Sequence, residues 1–468
     1  MKKFDFDTKT RSEAWDYLLE ELESYYADTE SLPVAPTLDH EKINEYVHQP
    51  SLKSPLAFNE AIDHVVRGLK KFAVHTPHPQ YFGLFNPRST FPGILADTIA
   101  ATFNPQLAAW SHAPFAAEVE NRLIEEIGKK FGYQQSTVDG TFTTGGTEAN
   151  ITALLCALNA AFTEYASKGL GAIDKNPVVY VSAESHHSLV RAASVAGLGM
   201  DAVRAIPVND RLQMRTDLLE KQIAEDLEKN CYPLMVTATM GTTGTGAIDD
   251  IKTIAAIASE NNLWLHADAA YGGAVALSKR HKKLIRDIDL ADSITFDAHK
   301  WMSVPMSAGM FITKHPSILS QTFRITADYM PKEADELQIV DPFTHSIQWS
   351  RRFTGLKMYL SLLMLGWEAY EQLVEHQIKI GKLLKNELQK DGWTIFNHTD
   401  LPIVCFGKEH FEENPDAAIK LNKKILASGG AWLSVYNING INTLRACITN
   451  YATDEDNIHR LLKILREV

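Results

Sequence analysis

The stretch that decides the fold is Ser293-Ile-Thr-Phe-Asp-Ala-His-Lys-Trp301. A short β-type run ends here in a polar cluster, with Asp297, His299 and Lys300 just beyond its last apolar residue. The aromatic neighbours of the lysine would desolvate its amine and lower its pKa, and a lysine of lowered pKa is a nucleophile able to form a Schiff base. An ordinary surface lysine is the alternative, and this stretch alone favours it.

Similar β-type runs occur on either side of this stretch. They cover residues 178–182, 205–208, 234–238, 263–267 and 309–312, with helical patterns such as 216–227 and 251–260 in several of the gaps. The runs are largely apolar rather than alternating, which indicates strands covered on both faces and a mainly parallel sheet in an α/β domain. Such sheets bind ligands at the carboxyl ends of their strands.

A carboxylate follows the run at 263–267, in the sequence Leu263-Trp-Leu-His-Ala-Asp-Ala-Ala-Tyr-Gly-Gly273. The small residues after Asp268 would admit a flat ligand close to the backbone. A carboxylate at a buried strand end needs a positive partner, and a protonated pyridine nitrogen or a structural arginine would serve. A salt-bridged aspartate of the core explains this stretch equally well until the other sites are added.

Glycines and hydroxyls open a helical pattern in Thr143-Thr-Gly-Gly-Thr-Glu-Ala-Asn150. The free N–H groups and the dipole at a helix N-terminus make such a segment an anion site. The stretch is neither a Walker P-loop, which needs Gly-Lys-Ser/Thr, nor a GxGxxG motif. A capped helix with a tight turn would have a similar sequence.

Two adjacent histidines follow the run at 178–182, in Glu184-Ser-His-His-Ser-Leu-Val-Arg191. A zinc site would need further ligands at suitable spacing, and none is evident. His186 and His187 cannot easily face one pocket together. We expect one imidazole to stack on an aromatic ligand and at least one to cap a helix or lie on the surface.

These four sites each lie at or just beyond a predicted strand end. Together they supply a Schiff-base lysine, a carboxylate for a pyridinium, a phosphate cradle and a stacking imidazole. Those groups are the ones that hold pyridoxal phosphate, whose chemistry requires a lysine and an acidic partner for the ring nitrogen. Their joint occurrence by chance is far less probable than that of any one site.

The chain resembles the pyridoxal-phosphate-dependent group II amino-acid decarboxylases, from about His78 to Arg445. The motifs that carry the resemblance, in chain order, are His78-Pro-Gln-Tyr-Phe82, Gly146-Thr-Glu-Ala-Asn150, His266-Ala-Asp-Ala-Ala-Tyr271 and Asp297-Ala-His-Lys-Trp301. The resemblance implies fold-type I (aspartate-aminotransferase-like), with a mainly parallel sheet in a large domain and a small C-terminal α+β domain. It also implies a homodimer and pyridoxal 5′-phosphate as cofactor.

Cofactor roles are implied residue by residue. Lys300 would form the internal Schiff base, and Asp268 would keep the ring nitrogen protonated. Ala270 and His186 would lie against the two ring faces, and Thr243 would sit beside the ring. The phosphate would be held by Gly145, Gly146 and Thr147, with His299 nearby and Asp297 at a position where some relatives have asparagine.

Substrate residues are implied at the mouth of the pocket: His78, Tyr81, Phe82, Leu84, Phe85 and Ser350. Arg445 matches the arginine that meets the substrate α-carboxylate in glutamate-type relatives, and a domain-interface salt bridge is the alternative. The aromatic side chains favour an aromatic L-amino acid such as tyrosine or dopa. Glutamate, 2,4-diaminobutyrate and decarboxylation-dependent oxidative deamination to an aldehyde stay open.

The acid that protonates Cα is the main departure from the family. Aromatic-amino-acid members use a tyrosine on a loop before the element that is here Arg351-Arg352-Phe353. An ungapped comparison puts Pro342 or Phe343 at that position. The hypothesis is that His345 or a shifted Tyr329 supplies the proton instead. In the family, loss of the loop tyrosine can divert the reaction toward an aldehyde.

Composition bounds the remaining questions. The chain has 468 residues, a net charge of −12 and 45% hydrophobic residues, which predicts an ordered protein of two or three domains with no affinity for nucleic acid. Four scattered cysteines and the lack of a signal peptide or membrane-length apolar run predict a cytoplasmic protein with neither metal nor membrane partner. The expected domains are an arm at 1–85 that packs on a dimer partner, a large domain at 86–350 and a small one at 351–468.

Three other classes are weighed against the decarboxylase. An aminotransferase shares the fold and the lysine chemistry but not the context of Asp297-Ala-His-Lys-Trp301. A cysteine desulfurase would need a reactive loop cysteine, and no cysteine lies in such a loop. A non-catalytic relative is disfavoured by the intact lysine, aspartate and glycine motifs.

Overall fold

Two β-sheets and the helices around them organise the chain. The computed structural model describes residues 4–325, 337 and 339–468. Among these residues no helix combines the length and the apolar character that a membrane span requires.

The N-terminal segment consists of three helices, α1 (Thr8–Asp28), α2 (His40–His48) and α3 (Phe58–Phe72). Asp7 begins α1, because its carboxylate accepts a hydrogen bond of 2.8 Å from the backbone N–H of Thr10. No residue of α1, α2 or α3 is buried. These helices therefore contribute little to the hydrophobic cores of the two domains described below.

A seven-stranded sheet forms the centre of the large domain, in the order β1-β7-β6-β5-β4-β2-β3. Its strands are β1 (Asp139–Thr143), β2 (Asn176–Ser182), β3 (Val203–Ile206), β4 (Cys231–Thr239), β5 (Trp264–Asp268), β6 (Ser293–Asp297) and β7 (Gly309–Thr313). Only β7 runs antiparallel to its neighbours, so the predicted mainly parallel sheet is confirmed. Strand β1 is an addition that the apolar pattern did not indicate.

Helices cover both faces of this sheet. They are α4 (Phe91–Phe103), α5 (Pro114–Phe131), α6 (Gly146–Ala161), α7 (Tyr165–Lys168), α8 (Ser188–Val195), α9 (Thr216–Glu228), α10 (Ile251–Glu260), α11 (Ala298–Trp301) and α12 (Ile318–Phe323). Every residue of β6 and β7 is buried between them. Burial on both faces is the physical reason for the continuous apolar runs in the sequence.

The C-terminal part is a smaller α+β unit, as expected. It contains α13 (Gly355–Lys390), β8 (Thr394–Ile395), β9 (Ile403–Gly407), α14 (His410–Glu413), α15 (Ala417–Ser428), β10 (Ser434–Ile438), β11 (Ile441–Cys447) and α16 (Glu455–Glu467). The strands form an antiparallel sheet in the order β10-β11-β9-β8. Helix α13 is interrupted at Gly366, whose φ is 71°. Its first part packs in the large core and its last part in the small one.

Candidate active site

A cavity of about 340 Å³ lies where β1, β2, β4, β5 and β6 end. Its volume falls within the range of about 300–1,000 Å³ that is typical of small-molecule sites. All ten residues expected to bind the cofactor line it: Gly145, Gly146, Thr147, His186, Thr243, Asp268, Ala270, Asp297, His299 and Lys300. The cavity occupies the carboxyl edge of the sheet, where α/β proteins bind their ligands.

Lys300 lies in α11, the single turn that follows β6. Its Nζ is 2.9 Å from Oδ2 of Asp297, whose side chain is only 2% exposed. Oδ1 of Asp297 is buried and has no hydrogen-bond partner among the described residues. Nδ1 of His299 accepts a hydrogen bond from the Ala308 N–H, and burial lowers the pKa of this imidazole. The lysine amine is therefore held at the strand end by one carboxylate, with a neutral imidazole next to it.

Asp268, the last residue of β5, is fixed by two donors. Its Oδ2 accepts a hydrogen bond of 3.0 Å from Asn150 Nδ2, and its Oδ1 accepts one of 3.2 Å from the Ala270 N–H. Both oxygens thus accept a hydrogen bond within the fold, which fixes the orientation of this carboxylate toward a cationic or N–H-bearing group that binds in the cavity. The residue is 6% exposed, so such a group would meet it in a poorly solvated place.

A directed chain of hydrogen bonds leads to Asp268. Trp264 Nε1 donates to Ser293 Oγ at 2.9 Å, and Ser293 Oγ lies 2.8 Å from Nδ1 of His266. Nε2 of His266 lies 3.0 Å from Oδ1 of Asn150. Burial lowers the pKa of His266 to about 4, so the ring is neutral at pH 7 and carries its proton on Nε2. Each donor in this chain thus points toward the carboxylate of Asp268.

Sequence reasoning missed most of this network. His266 precedes Asp268 by two residues on β5, so the strand period places both side chains on one face, a signal that was available. Asn150 is the final residue of the glycine motif, and its amide completes the link between α6 and β5. Nothing in the sequence pattern indicates that Ser293 belongs with them.

The N-terminus of α6 forms the floor of the cavity. Gly145 is the N-cap residue, and the helix itself begins at Gly146. A side chain at Gly146 would place its Cβ 3.1 Å from Asp297 Oδ2 and 3.3 Å from the Ala270 Cβ, so glycine keeps this space open. Glu148 is already engaged, because it accepts hydrogen bonds from the N–H and the hydroxyl of Thr144. The first amides of the helix are free to bind an anion.

Of the two histidines after β2, His186 lines the cavity and His187 does not, as the sequence indicated. Nδ1 of His186 accepts a hydrogen bond of 3.1 Å from the Ser188 N–H, so its neutral form carries the proton on Nε2. Desolvation also lowers the pKa of His186, which favours that neutral form. His187 is exposed and does not line the cavity.

Phe85, a member of the expected substrate set, lies beside Lys300. The lysine Nζ is 5.6 Å from the centre of its ring. The ring contacts that of Tyr271 at 4.3 Å between centres, and Tyr271 stacks on Trp301 at 5.0 Å. Leu84 is 53% exposed, and Ser350 is also exposed and outside the lining of the Lys300 cavity.

The remaining side chains of the expected substrate set are not brought to the cavity. Phe82 is fully buried in the core of the small domain, because residues 80–82 run beside Trp432 and bond to its backbone. Tyr81 packs against the Trp432 ring. His78 is 4% exposed and bonds to the Glu30 carbonyl and the Gln80 N–H. Their burial explains the apolar stretch that the sequence analysis assigned to the substrate.

His345 lies in a different cavity. Its Nε2 is 3.3 Å from Oδ2 of Asp139 at the start of β1, and Nδ1 is 3.0 Å from the Thr344 hydroxyl. The cavity beside it, of about 160 Å³, shares no lining residue with the one around Lys300. The structure thus places His345 outside the Lys300 cavity. Tyr329, the other candidate, lies outside the described residues.

Arg445 is buried and directed at backbone carbonyls. Its Nε donates to Gly244 O at 2.9 Å and its Nη2 to Thr243 O at 2.6 Å. The expected contact with a substrate carboxylate is replaced here by bonds within the fold. The alternative of an interface salt bridge is also not met, because the partners are carbonyl groups.

Pyridoxal phosphate fits the residues present. The free amides and open Gly146 of α6 suit a phosphate, and the carboxylate of Asp268 suits a protonated ring nitrogen. The orphaned Oδ1 of Asp297 shows that the polar groups around Lys300 are incompletely satisfied by the protein alone. Lys300 would supply the amine to which the cofactor attaches.

Comparisons with known proteins agree with this geometry. Residues 45–408 match the model of the pyridoxal-dependent decarboxylase conserved domain. The chain is 29% identical over 442 residues to an aromatic-L-amino-acid decarboxylase of Bacillus atrophaeus, covering 93% of this chain and 90% of that one. It is 27% identical over 467 residues to a phenylacetaldehyde synthase of a Rosa hybrid cultivar, with 95% and 90% covered. The structure of Oryza sativa TDC with PLP and tryptamine superposes with a TM-score of 0.93 at 20% identity, over 99% of this chain and 98% of that one. The family match spans more than half of the chain, so this protein belongs to the pyridoxal-dependent decarboxylases and is an amino-acid carboxy-lyase with pyridoxal 5′-phosphate as its cofactor.

Proposed function

We propose that the protein decarboxylates an aromatic L-amino acid, such as tyrosine or dopa, to the amine and carbon dioxide. The observation that carries this proposal is the charge of the Lys300 cavity. Apart from Lys300 itself, no arginine or lysine is among the described residues that line it. An acidic side chain would be desolvated there without a cation, which is costly, whereas Phe85 and Tyr271 offer aromatic surface beside the lysine.

The chain's own residues then have separate tasks. When bound, pyridoxal phosphate supplies the conjugated ring that accepts the electrons released as carbon dioxide leaves. Asp268, held by Asn150 and the Ala270 N–H, keeps a proton on the ring nitrogen. His186 and Ala270 would pack against the cofactor, and the amine of Lys300 would hold it. Thr243 also lines the cavity, and the small-domain Arg445 donates to its carbonyl.

Tyr329 is the proposed donor of the proton to Cα. His345 bonds to Asp139 in another cavity, which leaves Tyr329 as the other candidate that the sequence offers. A phenol donor would give the amine as the product. In Tyr329→Phe we expect amine formation to fall, with aldehyde and hydrogen peroxide appearing in its place.

The test is a substrate panel on the cofactor-loaded enzyme. Carbon dioxide, amine and hydrogen peroxide are measured with L-tyrosine, dopa, L-tryptophan, L-phenylalanine, L-glutamate, L-aspartate and 2,4-diaminobutyrate. We expect carbon dioxide and equal amounts of amine from the aromatic substrates. His345→Ala is the matched control for Tyr329→Phe and should retain the wild-type amine yield. Release of carbon dioxide from the acidic substrates alone would refute the aromatic assignment, and peroxide from the wild type would make it an aldehyde synthase.

An acidic amino acid is the second candidate. A cavity of about 300 Å³ shares Thr144 and Met306 with the Lys300 cavity and is lined by Arg351, Arg352 and Lys357. These cations already have partners. Arg351 pairs with Glu120, Arg352 with Asp97, and Lys357 donates to the carbonyls of Pro305 and Ser307. Because these cations already interact with groups of the protein, they are less available to an acidic substrate. The aromatic proposal therefore has the stronger support.

We also propose that two copies associate through the N-terminal arm. Its helices present apolar side chains to solvent, including Trp15, Leu19 and Leu22 on α1 at 48%, 53% and 42% exposure. A continuous apolar face of this kind is typical of a protein interface. The double variant Leu19→Ser/Leu22→Ser should lower the mass measured by light scattering, whereas Leu170→Ser, an exposed leucine of the large domain, should not. A monomeric wild type would refute the proposal.

A further inference from the structure

Four consecutive carbonyl groups beside the cofactor cavity are held by side chains of the small domain. They belong to the loop Thr243–Gly246, which follows β4. Arg445 donates to the carbonyls of Thr243 and Gly244, at 2.6 and 2.9 Å. Asn397 Nδ2 donates to Thr245 O at 2.8 Å, and Thr399 Oγ donates to Gly246 O at 2.6 Å. We call this set of bonds the carbonyl clasp.

Four of the five N–H groups of Arg445 are bonded within the fold. Besides its two bonds in the clasp, its Nη1 donates to Gly83 O at 3.3 Å and lies 3.4 Å from Ser434 Oγ. The side chain is 3% exposed and forms no ion pair with a carboxylate in the described part of the chain. To offer the usual pair of N–H groups to a substrate carboxylate, it would leave a buried carbonyl unsatisfied, which is unfavourable.

Phe85 contacts both the arginine and the lysine. Its ring centre is 5.2 Å from Arg445 Cζ and 5.6 Å from Lys300 Nζ. The two cations therefore share one aromatic ring, which puts apolar surface next to the guanidinium.

A fourth small-domain side chain, Tyr436, supports the same loop. The ring of Tyr436 packs so closely on Gly244 that a Cβ there would lie 2.1 Å from it. Its hydroxyl donates to Glu184 Oε2 at 2.8 Å, and Glu184 is two residues before His186. The small domain thus contacts the supports of both Thr243 and His186, which line the cavity.

We propose that Arg445 is a positioning residue that acts through the carbonyl clasp to fix Thr243 against the cofactor, and that it is not the ligand of the substrate α-carboxylate. The inference rests on the proposed function for the identity of that carboxylate. It predicts that loss of Arg445 affects the cofactor and every ligand of the cavity, whether or not the ligand carries a carboxylate.

The test compares Arg445→Met, Arg445→Lys and Thr399→Val in the cofactor-loaded enzyme. Thr399→Val removes one bond of the clasp and leaves the arginine charge in place, so it is the matched control. Three quantities are measured: the dissociation constant of pyridoxal phosphate, hydrogen exchange of residues 241–248, and the affinities for L-tyrosine and tyramine. L-tyrosine is turned over, so its affinity is taken as the KM for carbon dioxide release. Tyramine lacks the carboxylate, and its affinity is taken as the inhibition constant in the same assay.

We expect Arg445→Met to weaken cofactor binding by about tenfold or more and to speed exchange in the loop, because hydrogen bonds of a charged donor are lost. Arg445→Lys should lie between it and the wild type, and Thr399→Val should shift both measurements in the same direction by about threefold. In each variant the ratio of the L-tyrosine to the tyramine affinity should stay at its wild-type value.

Weaker binding of L-tyrosine alone, with unchanged tyramine binding and loop exchange, would make Arg445 a carboxylate ligand and overturn the proposal. Unchanged cofactor affinity and loop exchange in Arg445→Met would also overturn it. If neither tyrosine nor tyramine binds the wild type, the aromatic substrate assignment fails, while cofactor affinity and loop exchange still test the clasp.

Discussion

Replacement of Asn150 by leucine is the most informative single perturbation of the site. The amide is 1% exposed and uses its full bonding capacity. Its Nδ2 donates to Ser188 Oγ at 2.8 Å and to Asp268 Oδ2 at 3.0 Å. Its Oδ1 accepts from Thr295 Oγ at 2.7 Å and from His266 at 3.0 Å. Leucine has nearly the same shape and none of these bonds.

The expected size follows from the bond to Asp268. A hydrogen bond to a charged group contributes about 1.5–3 kcal/mol, and about 1.4 kcal/mol corresponds to a factor of ten. With Oδ2 released, the carboxylate of Asp268 is held only by the Ala270 N–H. We therefore expect the cofactor to bind about 10- to 100-fold more weakly, and the free energy of unfolding to fall by about 2–4 kcal/mol because other buried partners are left unpaired.

Fluorescence titration of the apo-protein with pyridoxal phosphate measures the first quantity, and urea unfolding the second. Asn159→Leu is the matched control, since Asn159 lies on the same helix, is 6% exposed, and has an Oδ1 without a partner in the described structure. It should leave cofactor binding unchanged. Wild-type cofactor affinity in Asn150→Leu, within about a factor of two, would refute the view that this amide orients Asp268.

Three further outcomes follow from the same structure. Gly146→Ala should weaken cofactor binding by about tenfold, because its Cβ would crowd Asp297 and Ala270. Gly171→Ala, whose Cβ would have open space around it, should leave cofactor binding unchanged. Equal effects of the two variants in the cofactor titration would contradict this reasoning. His266 has a folded pKa of about 4 against an ordinary 6.5, so the unfolded chain binds more protons below pH 6.5 and stability falls on acidification. Between pH 7.5 and pH 5.0 the wild type should lose about 2 kcal/mol more unfolding free energy than His266→Gln, and parallel urea curves would refute this. Glu120→Gln leaves the buried guanidinium of Arg351 unpaired and should cost about 3–5 kcal/mol, whereas Glu126→Gln, in an exposed pair on the same helix, should cost less than about 1 kcal/mol by the same measurement.

The sequence indicated the sheet wherever burial on both faces produced an apolar run. Strands β2, β4, β5, β6 and β7 were predicted within a few residues for that reason. Strand β1 was missed because Asp139-Gly-Thr-Phe-Thr143 has one large apolar side chain, although four of its five residues are buried. Its neighbours, rather than its own composition, give it a place in the sheet.

His186, Asp268, Asp297, His299 and Lys300 could be predicted together because each follows or ends a strand that the pattern identified, whereas Gly145, Gly146 and Thr147 were found from their own glycine motif. The apolar stretch at 81–85 could not be assigned in the same way. Phe82 and Phe85 are three residues apart and both aromatic, yet one packs in the core of the small domain and the other lies beside Lys300. Arg445 was assigned by its match alone, and its actual partners are backbone carbonyls from a loop 200 residues earlier, which no side-chain pattern reveals.

The position of β7 has a consequence for how the protein is made. This strand lies between β1, which leads into the phosphate cradle, and β6, which carries Lys300. Its sequence, Gly309–Thr313, follows every other strand of the large sheet. A nascent chain that has emerged only as far as Lys300 therefore has all its cofactor side chains but cannot yet hold its first and sixth strands in register. Long-range pairings of this kind form late, so we expect cofactor capture to begin only after residue 313 has left the ribosome, and chains truncated before β7 to remain unloaded and prone to aggregation.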